Sequence, residues 1–399
     1  MNFELDPALA ALRDEVRRFI DDVVIPEERT VEEEDREGRH DTLRRLQQQA
    51  RSAGLWTPHL PAERGGRGFD GDAGYQAMAV AFREMGRSPV GPRVCNCDAP
   101  DQGNMDLLLR HGTPDQQARW LDPLCSGDIT SAFAMTEPSP GAGADPGNLR
   151  TSATRDGDHW VLRGRKWYTT GGRDAAFLIV MARTSHDRRG GATLFLVDRQ
   201  AEGLEHVREV STMAEPILAH RESEFALHDV RVGPDAVLGE VGDGFAMAQE
   251  RLVPARLTHC MRWLGLASRT LSLCRAYVVS RESFGKELAR HQLVQQMLAE
   301  AASRIHAGDL MTHHCAWLLA RGQRAEARTF SSMAKLEVAR TLCTVLDHAI
   351  QIHGGLGYSD DMPFARWYRM ARAARIADGP DEVHIAVIAR DWLRGRLDV

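Results

Sequence analysis

The hydrophobic period of this chain changes twice along its length, and that change excludes most architectures. From residue 1 to about 129 apolar residues recur at three- and four-residue spacing, between about 130 and 240 they alternate, and from about 241 onward helical spacing returns in longer units. In the first segment, Asp6-Pro7 places a capping side chain before proline at a first helical position, and Leu9, Leu12, Val16, Phe19 and Ile20 then form one stripe. Pro26 is expected to end that helix. A second stripe, Leu43, Leu46 and Ala50, closes at Gly54, and helical patterns resume over 74–85, over 101–110 and from Pro114. In the middle segment, short β-branched and aromatic runs (159–162, 166–170, 177–182, 193–197, 224–230) are punctuated by Gly157, Gly164, Gly171-Gly172, Gly190-Gly191 and Gly203. No helices alternate with these strands, which argues against a doubly wound nucleotide fold. An antiparallel β-domain, closed as a barrel, is expected instead. The last segment reads as helices over roughly 244–283, 290–321, 325–352, 361–375 and 381–396, with Pro254 kinking or interrupting the first. Helices of this length in one chain pack as a bundle.

The expected fold class is therefore α+β, with an N-terminal α-helical domain (1–129), a middle antiparallel β-domain (130–240) and a C-terminal helical bundle domain (241–399). At 399 residues and a formal net charge of -6 with the signs mixed throughout, nothing suggests a nucleic-acid surface. The acidic run Glu32-Glu33-Glu34-Asp35, with Arg29, Arg36 and Arg39 around it, reads as a solvated helix face. The seven cysteines form no C-x-x-C pair and are odd in number, so neither a disulfide framework nor a metal site is expected. With no basic-then-apolar leader and no apolar run of membrane-spanning length, the expectation is a cytoplasmic protein.

Six runs invite a chemical reading. Gly66-Arg67-Gly68-Phe69-Asp70-Gly71 fits G-x-G-x-x-G letter for letter, but it follows a Pro- and charge-rich turn rather than a strand, so it reads as a surface turn. Ala132-Phe133-Ala134-Met135-Thr136-Glu137-Pro138 is an apolar strand that breaks at proline into the glycine-rich loop through Asp145. It leaves amides and a hydroxyl at a strand end, able to hold a polar-edged ring. Gly164 to Gly172 is a strand entering a turn, with Tyr168 and Thr170 two residues apart and so on one face. Around Ser280-Arg281-Glu282-Ser283-Phe284-Gly285 a helix ends with a cation able to pair with a pyrophosphate. Gln351 to Tyr358 places Gly354-Gly355 after a long helix, where a phosphate or adenosine could approach the backbone. In Ala377-Asp378-Gly379-Pro380-Asp381-Glu382-Val383-His384, Pro380 marks a first helical position with Asp381 and Glu382 in the first turn. Asp378, just outside that helix, is either a cap or a catalytic base.

Taken together, the last five runs resemble the acyl-CoA dehydrogenase family in order and spacing over essentially the whole chain. Arg256-Leu257-Thr258-His259-Cys260-Met261-Arg262, with Gly265-Leu266-Ala267 following, and Ala377 to His384 look like the branch found fused to kinase-like domains in some animal proteins. That branch is linked to hydroxylated and long or branched acyl thioesters. The resemblance implies a C-terminal four-helix bundle and FAD as cofactor. It implies that Met135 and Thr136 hold the flavin pyrimidine edge, that Tyr168 stacks near the ring and that Thr170 hydrogen-bonds near N5. It implies further that Arg281, Phe284 and Gln292 reach the cofactor of a neighbouring subunit in a homodimer or homotetramer. Gln351, Gly354 and Gly355 would approach the pyrophosphate or adenosine, with Glu382 near the adenosine end.

The implied reaction is α,β-dehydrogenation of an acyl thioester, carried by CoA or by a carrier protein, to the 2-enoyl thioester. Asp378 would take the alpha proton, the beta hydride would go to flavin, and Arg256 and Gly379 would lie at the thioester. The family uses a backbone amide and a flavin ribityl hydroxyl to stabilise the developing enolate, since an alpha proton is far too weakly acidic for a free carboxylate. Many members have glutamate at the base position, whereas the resembling branch has aspartate. Some relatives carry their base on the helix near Arg256, where this chain has Ala255. An electron-transfer flavoprotein is the implied acceptor; oxidases of the same fold, acting on acyl-CoA or nitroalkanes, are the alternative, and a non-catalytic scaffold is another. The glycine loop departs from the family pattern by two extra residues, Ser139-Pro140, and by Ala144 in place of a common serine.

Overall fold

The computed structural model describes residues 4–69, 74–187, 191–218 and 221–397. The longer helices are α1 (Pro7–Phe19), α2 (Glu28–Arg36), α3 (Asp41–Ser52), α4 (Gly74–Met85), α5 (Asp101–His111), α6 (Gly244–Ser280), α7 (Gln292–Ala320), α8 (Arg324–His353), α9 (Phe364–Ala371) and α10 (Asp381–Leu393). The strands of the main sheet are β1 (Ser131–Ala134), β2 (Ser152–Asp156), β3 (His159–Thr170), β4 (Phe177–Arg183), β5 (Ala192–Asp198), β6 (Leu204–Glu209), β7 (Glu222–Val232) and β8 (Val237–Leu238). The chain divides into two compact units: one holds Met1–Cys95, Met213–Glu215 and Val253–Val399, the other Asn96–Thr212 and Pro216–Leu252. None of the helices among the described residues is long and apolar enough to cross a membrane. Asp70 and Gly71 of the G-x-G-x-x-G run, and Gly190, lie outside the described residues.

In the helical unit, Leu264, Val338, Leu342, Leu346, Phe364 and Trp367 form the core shared by α6, α8 and α9. The end of α4 meets α6 through glycines at both sides. A methyl group on Gly265 would come within 2.8 Å of the Arg87 amide nitrogen, and one on Gly86 within 2.7 Å of the Arg262 carbonyl carbon. Backbone therefore packs on backbone at this crossing. Of the kink or interruption expected at Pro254, the interruption is absent: helix α6 continues through this residue. Val253 and Ala255 beside it are buried, and this packing outweighs the lost hydrogen bond, which costs about 3 kcal/mol.

Two further expectations fail at the N-terminal end. The chain stays helical past Pro26, because the turns Ile20–Val24 and Ile25–Glu27 link α1 to α2 and proline falls in the first turn of a short segment, where its missing N–H costs little. The acidic run is not a solvated face: Glu32, Glu34 and Asp35 are buried. Glu34 accepts from the Thr42 N–H (2.8 Å) and hydroxyl (2.9 Å) at the start of α3. Glu32 pairs with Arg366 of α9.

In the sheet unit, the strand order is β6-β7-β3-β2-β4-β5-β8, with β1 added on β4. Neighbours are antiparallel except at β4, which β1 joins in parallel from Ser131 opposite Phe177 to Ala134 opposite Val180, and which β2 touches in parallel at Ser152. The path is open rather than a closed ring among the described residues. Leu162, Val180, Phe195 and Phe225 fill its core.

Substituting Gly265→Ala forces the α4 and α6 backbones apart and is expected to cost about 1–3 kcal/mol, as overpacked sites do; urea unfolding measures it. Glu32 generates a second expectation. Burial raises its carboxyl from 4.5 to about 7 against the attraction of Arg366. The folded protein thus holds a proton that the unfolded chain releases between these values. Stability therefore falls as pH rises through that window and stays lower above it. Relative to Glu32→Gln, the native chain should lose on the order of 2 kcal/mol between pH 5 and 8; parallel slopes for the two proteins would refute this.

Candidate active site

The candidate base stands on the turn Asp378-Gly379-Pro380, which leads into α10. Asp378 has φ +52°, in the left-handed region, which aspartate tolerates better than most residues at a cost of about 1–2 kcal/mol. Gly379 follows at φ +108°, and a Cβ there would lie 3.0 Å from His384 Nε2. Pro380 proves to be the N-cap of α10 rather than its first helical residue. Asp381 is buried and accepts from Arg375 Nε (2.9 Å) and Arg340 Nε (3.2 Å), so the first turn of α10 is tied down. Glu382 next to it is exposed.

Two buried cations hold the turn by its carbonyls. Arg256 Nε donates to the Asp378 carbonyl oxygen at 2.9 Å, and Lys335 Nζ donates to that of Gly379 at 2.6 Å. Lys335 is fully buried, and burial pushes its pKa down to about 8, with the Asp378 carboxylate opposing the shift. Burial likewise lowers the Arg256 value. His384, packed beneath Gly379, is pushed down to about 4 by burial and by the positive charges of Arg256 and Lys335, so it is a neutral wall. The Asp378 side chain is 23% exposed, and its Oδ2 lies 3.2 Å from His259 Nε2. His259 stacks on Trp263 with centroids 5.1 Å apart, and its Nδ1 lies 3.0 Å from Arg262 Nη2.

On the sheet unit, Asp101 and Asn104 of α5 fix the start of β1. Asp101 accepts from the Ser131 N–H and hydroxyl, both at 2.7 Å, and Asn104 donates to the same hydroxyl at 2.9 Å. Beyond Ala134 the strand leaves the sheet, and the Trp167 N–H reaches the Thr136 carbonyl at 3.1 Å. Glu137 organises the loop that follows. Its carboxylate accepts from the N–H groups of Ala142 (3.1 Å), Arg150 (2.7 Å) and Thr151 (2.8 Å) and from Lys166 Nζ (2.9 Å). Lys166 also donates to the Met135 carbonyl at 3.0 Å. Although burial opposes it, Lys166 and these donors hold Glu137 below its ordinary value, while burial lowers Lys166 to about 8. A Cβ on Gly141 would lie 2.6 Å from Glu137 Cβ, so the loop closes this tightly only with glycine there.

Strand β3 does not alternate regularly through Tyr168 and Thr170. The register of β3 against β7 jumps between Lys166 and Thr169, and Tyr168 occupies that bulge at φ +50°, 47% exposed. The bulge resets the alternation from which Tyr168 and Thr170 were placed on one face. Thr170 donates instead to the Glu222 carboxylate at 3.0 Å. The Thr169 hydroxyl is buried without a hydrogen-bond partner, an orphaned polar group that a ligand edge would satisfy. In the helical unit, Arg281 and Phe284 lie on the hairpin Glu282–Ser283/Lys286–Glu287, with Phe284 95% exposed at its tip, and Gln292 opens α7 on the surface. Gln351 is exposed, and a Cβ on Gly354 or Gly355 would meet nothing. The sequence reading missed Lys335, His384 and Thr169. The signal for Lys335 was a lone lysine in register with Ser331, Val338, Ala339 and Leu342 on the buried stripe of α8.

Removing Glu137 while leaving Lys166 buried is expected to cost about 3–5 kcal/mol, since a buried charge is left uncompensated. Urea unfolding of Glu137→Ala should show this loss. The double variant Glu137→Met/Lys166→Met should recover only the part due to the Lys166 charge, since the Ala142, Arg150 and Thr151 N–H groups still lose their acceptor.

Three family models match in chain order: "Acyl-CoA dehydrogenase, N-terminal domain" over residues 6–128, "middle domain" over 132–227 and "C-terminal domain" over 242–393. The chain is 42% identical over 356 residues to "Probable acyl-CoA dehydrogenase FadE2" of Mycobacterium tuberculosis, covering 87% of this chain and 84% of that protein. It is 37% identical to "Acyl-CoA dehydrogenase family member 11" of Rattus norvegicus, covering 87% of this chain and 44% of the relative, so it spans about half the length of such relatives. Butyryl-CoA dehydrogenase of Megasphaera elsdenii superposes with a TM-score of 0.84 at 27% identity, covering 99% of this chain and all of that one. With these likenesses and the geometry above, the chain belongs to the acyl-CoA dehydrogenase family of FAD-using oxidoreductases.

Proposed function

We propose that this protein α,β-dehydrogenates an acyl thioester, with Asp378 abstracting the alpha proton. The observation that carries this reading is the turn itself: a partly exposed carboxylate on a left-handed backbone position whose flanking carbonyls are both gripped by buried cations. Such a backbone sets the point from which the carboxylate projects, and proton abstraction from a poorly acidic carbon requires a positioned base. Arg256 acts through the turn in this scheme, since its Nε is spent on the Asp378 carbonyl. Gly379 keeps the turn narrow, since a Cβ there would crowd the His384 ring at 3.0 Å and its φ of +108° disfavours any side chain. Ala255 leaves no competing base at its position.

FAD, when bound, supplies the oxidant that accepts the beta hydride. Met135, Thr136 and the orphaned Thr169 hydroxyl would hold its ring edge, with Thr169 replacing Thr170 in that role and Tyr168 beside it. Gln351, Gly354, Gly355 and Glu382 would serve the pyrophosphate and adenosine end, where the backbone is open to close approach. Phe284, almost wholly exposed beside Arg281 and Gln292, supports a homodimer or homotetramer in which these three residues reach a partner's cofactor. Electrons would leave to an electron-transfer flavoprotein, and the thioester would be an acyl-CoA or an acyl carrier. The loop folded around Glu137, with Ser139-Pro140 and Ala144, is where the carrier arm would be selected.

Asp378→Asn tests the assignment. The variant should stay yellow and bind thioester. Anaerobic bleaching of its flavin by a panel of acyl thioesters should slow by at least ~100-fold, the scale of general-base catalysis. Bleaching at the native rate would overturn the role of Asp378.

A further inference from the structure

Helix α6 presents Arg256, His259, Arg262 and Trp263 at three- and four-residue spacing, so they share one face of the helix. Arg256 grips the base turn through the backbone, and His259 meets the base through its carboxylate, 3.2 Å from Oδ2. The protonation state of the imidazole follows from its other nitrogen. A guanidinium only donates, so Arg262 Nη2, at 3.0 Å, makes His259 Nδ1 an acceptor. The single ring proton is then on Nε2, facing Asp378. Trp263, stacked at an interplanar angle of 15°, fixes the plane of the ring.

We infer that His259 is a positioning residue for Asp378: as a neutral imidazole it donates to Oδ2 and so fixes which carboxylate oxygen receives the substrate proton. The charged groups around the ring support its neutrality. Arg262 and Arg256 lie on α6, Lys335 on α8 and Asp378 on the turn. Burial lowers the imidazole pKa, Asp378 opposes that shift, and Arg262 and Lys335 reinforce it. With Nε2 already protonated and Nδ1 covered by a cation, His259 relays no proton. Its donated hydrogen bond has two effects. It holds the short aspartate arm in one rotamer, and it stabilises the ionised carboxylate, which keeps the base deprotonated at lower pH.

This inference rests on Asp378 being the base, and the experiment separates the two. Anaerobic flavin reduction is measured against pH, with a thioester that bleaches the native protein, for His259→Phe, His259→Gln, Arg262→Met and Asp378→Asn. His259→Phe should retain flavin and thioester affinity but lose roughly 10- to 100-fold in reduction rate through misorientation. The acid limb of its profile should move up by about one pH unit as the carboxylate loses its donor. His259→Gln, which keeps a donor, should restore most of the rate and the native limb. Arg262→Met uncovers Nδ1 without touching the ring and should add a second acid ionisation to the profile. A native rate and limb in His259→Phe, or no rescue by His259→Gln, overturns the inference. If His259→Phe fails to fold, a native profile in Arg262→Met overturns it alone. A native rate in Asp378→Asn instead removes the base assignment on which it stands.

Discussion

Two positive charges taken out of water and spent on adjacent carbonyl oxygens are the interaction on which the candidate site depends. Burying a guanidinium and an ammonium costs several kcal/mol each before compensation. Charge-assisted hydrogen bonds to the Asp378 and Gly379 carbonyls return part of it, and the nearby Asp378 carboxylate returns more. The arrangement satisfies both charges at the left-handed turn. It also links α6, α8 and α10 at one point, since Arg256 and Lys335 come from the first two and the turn leads into the third.

The order of helical and strand segments was legible because periodicity is a property of long stretches. The boundaries of α7, α8 and α10 fall within a few residues of their patterns, and Asp6 caps α1 as its side chain proposes, accepting from the Ala8 N–H at 2.9 Å. What escaped depended on single residues in tertiary context. A bulge at Tyr168 inverts the parity of β3, so Thr170 turns to Glu222 and the buried hydroxyl without a partner is that of Thr169. Glu32 and Glu34 look solvated in a charged run, yet Arg366, distant in sequence from Glu32, and Thr42, at the start of the next helix after Glu34, make their burial tolerable. Pro254 carries a breaking propensity that packing on its neighbours overrides. At the candidate site, the turn carrying Asp378 was readable from its place before a helix start, whereas Lys335 and His384 come beneath that turn only through the fold.

The glycine-rich loop after β1 owes its shape to a buried anion rather than to its glycines alone. Glu137 collects donors from three backbone positions and from Lys166, and the Glu137 N–H returns a bond to the Ala142 carbonyl at 2.7 Å. The loop is therefore preorganised around its own carboxylate. Ser139 and Pro140, exposed at its outer edge, contribute nothing to that centre, so changes there leave intact the strand end that the loop extends.

The glycine crossing of α4 and α6 has a mechanical consequence. Side chains absorb strain by changing rotamer, but a contact made of two backbones has no such give. Gly265 therefore acts as a fixed bearing for α6, and the helix can neither slide nor turn about its axis there. Arg262 lies three residues from that bearing, His259 six and Arg256 nine, all within three turns of helix. The angular setting of the groups that hold the Asp378 turn is thus inherited from a point well away from that turn. Change around the Asp378 turn has to work through side chains and loops, because the shaft that carries Arg256, His259 and Arg262 is pinned.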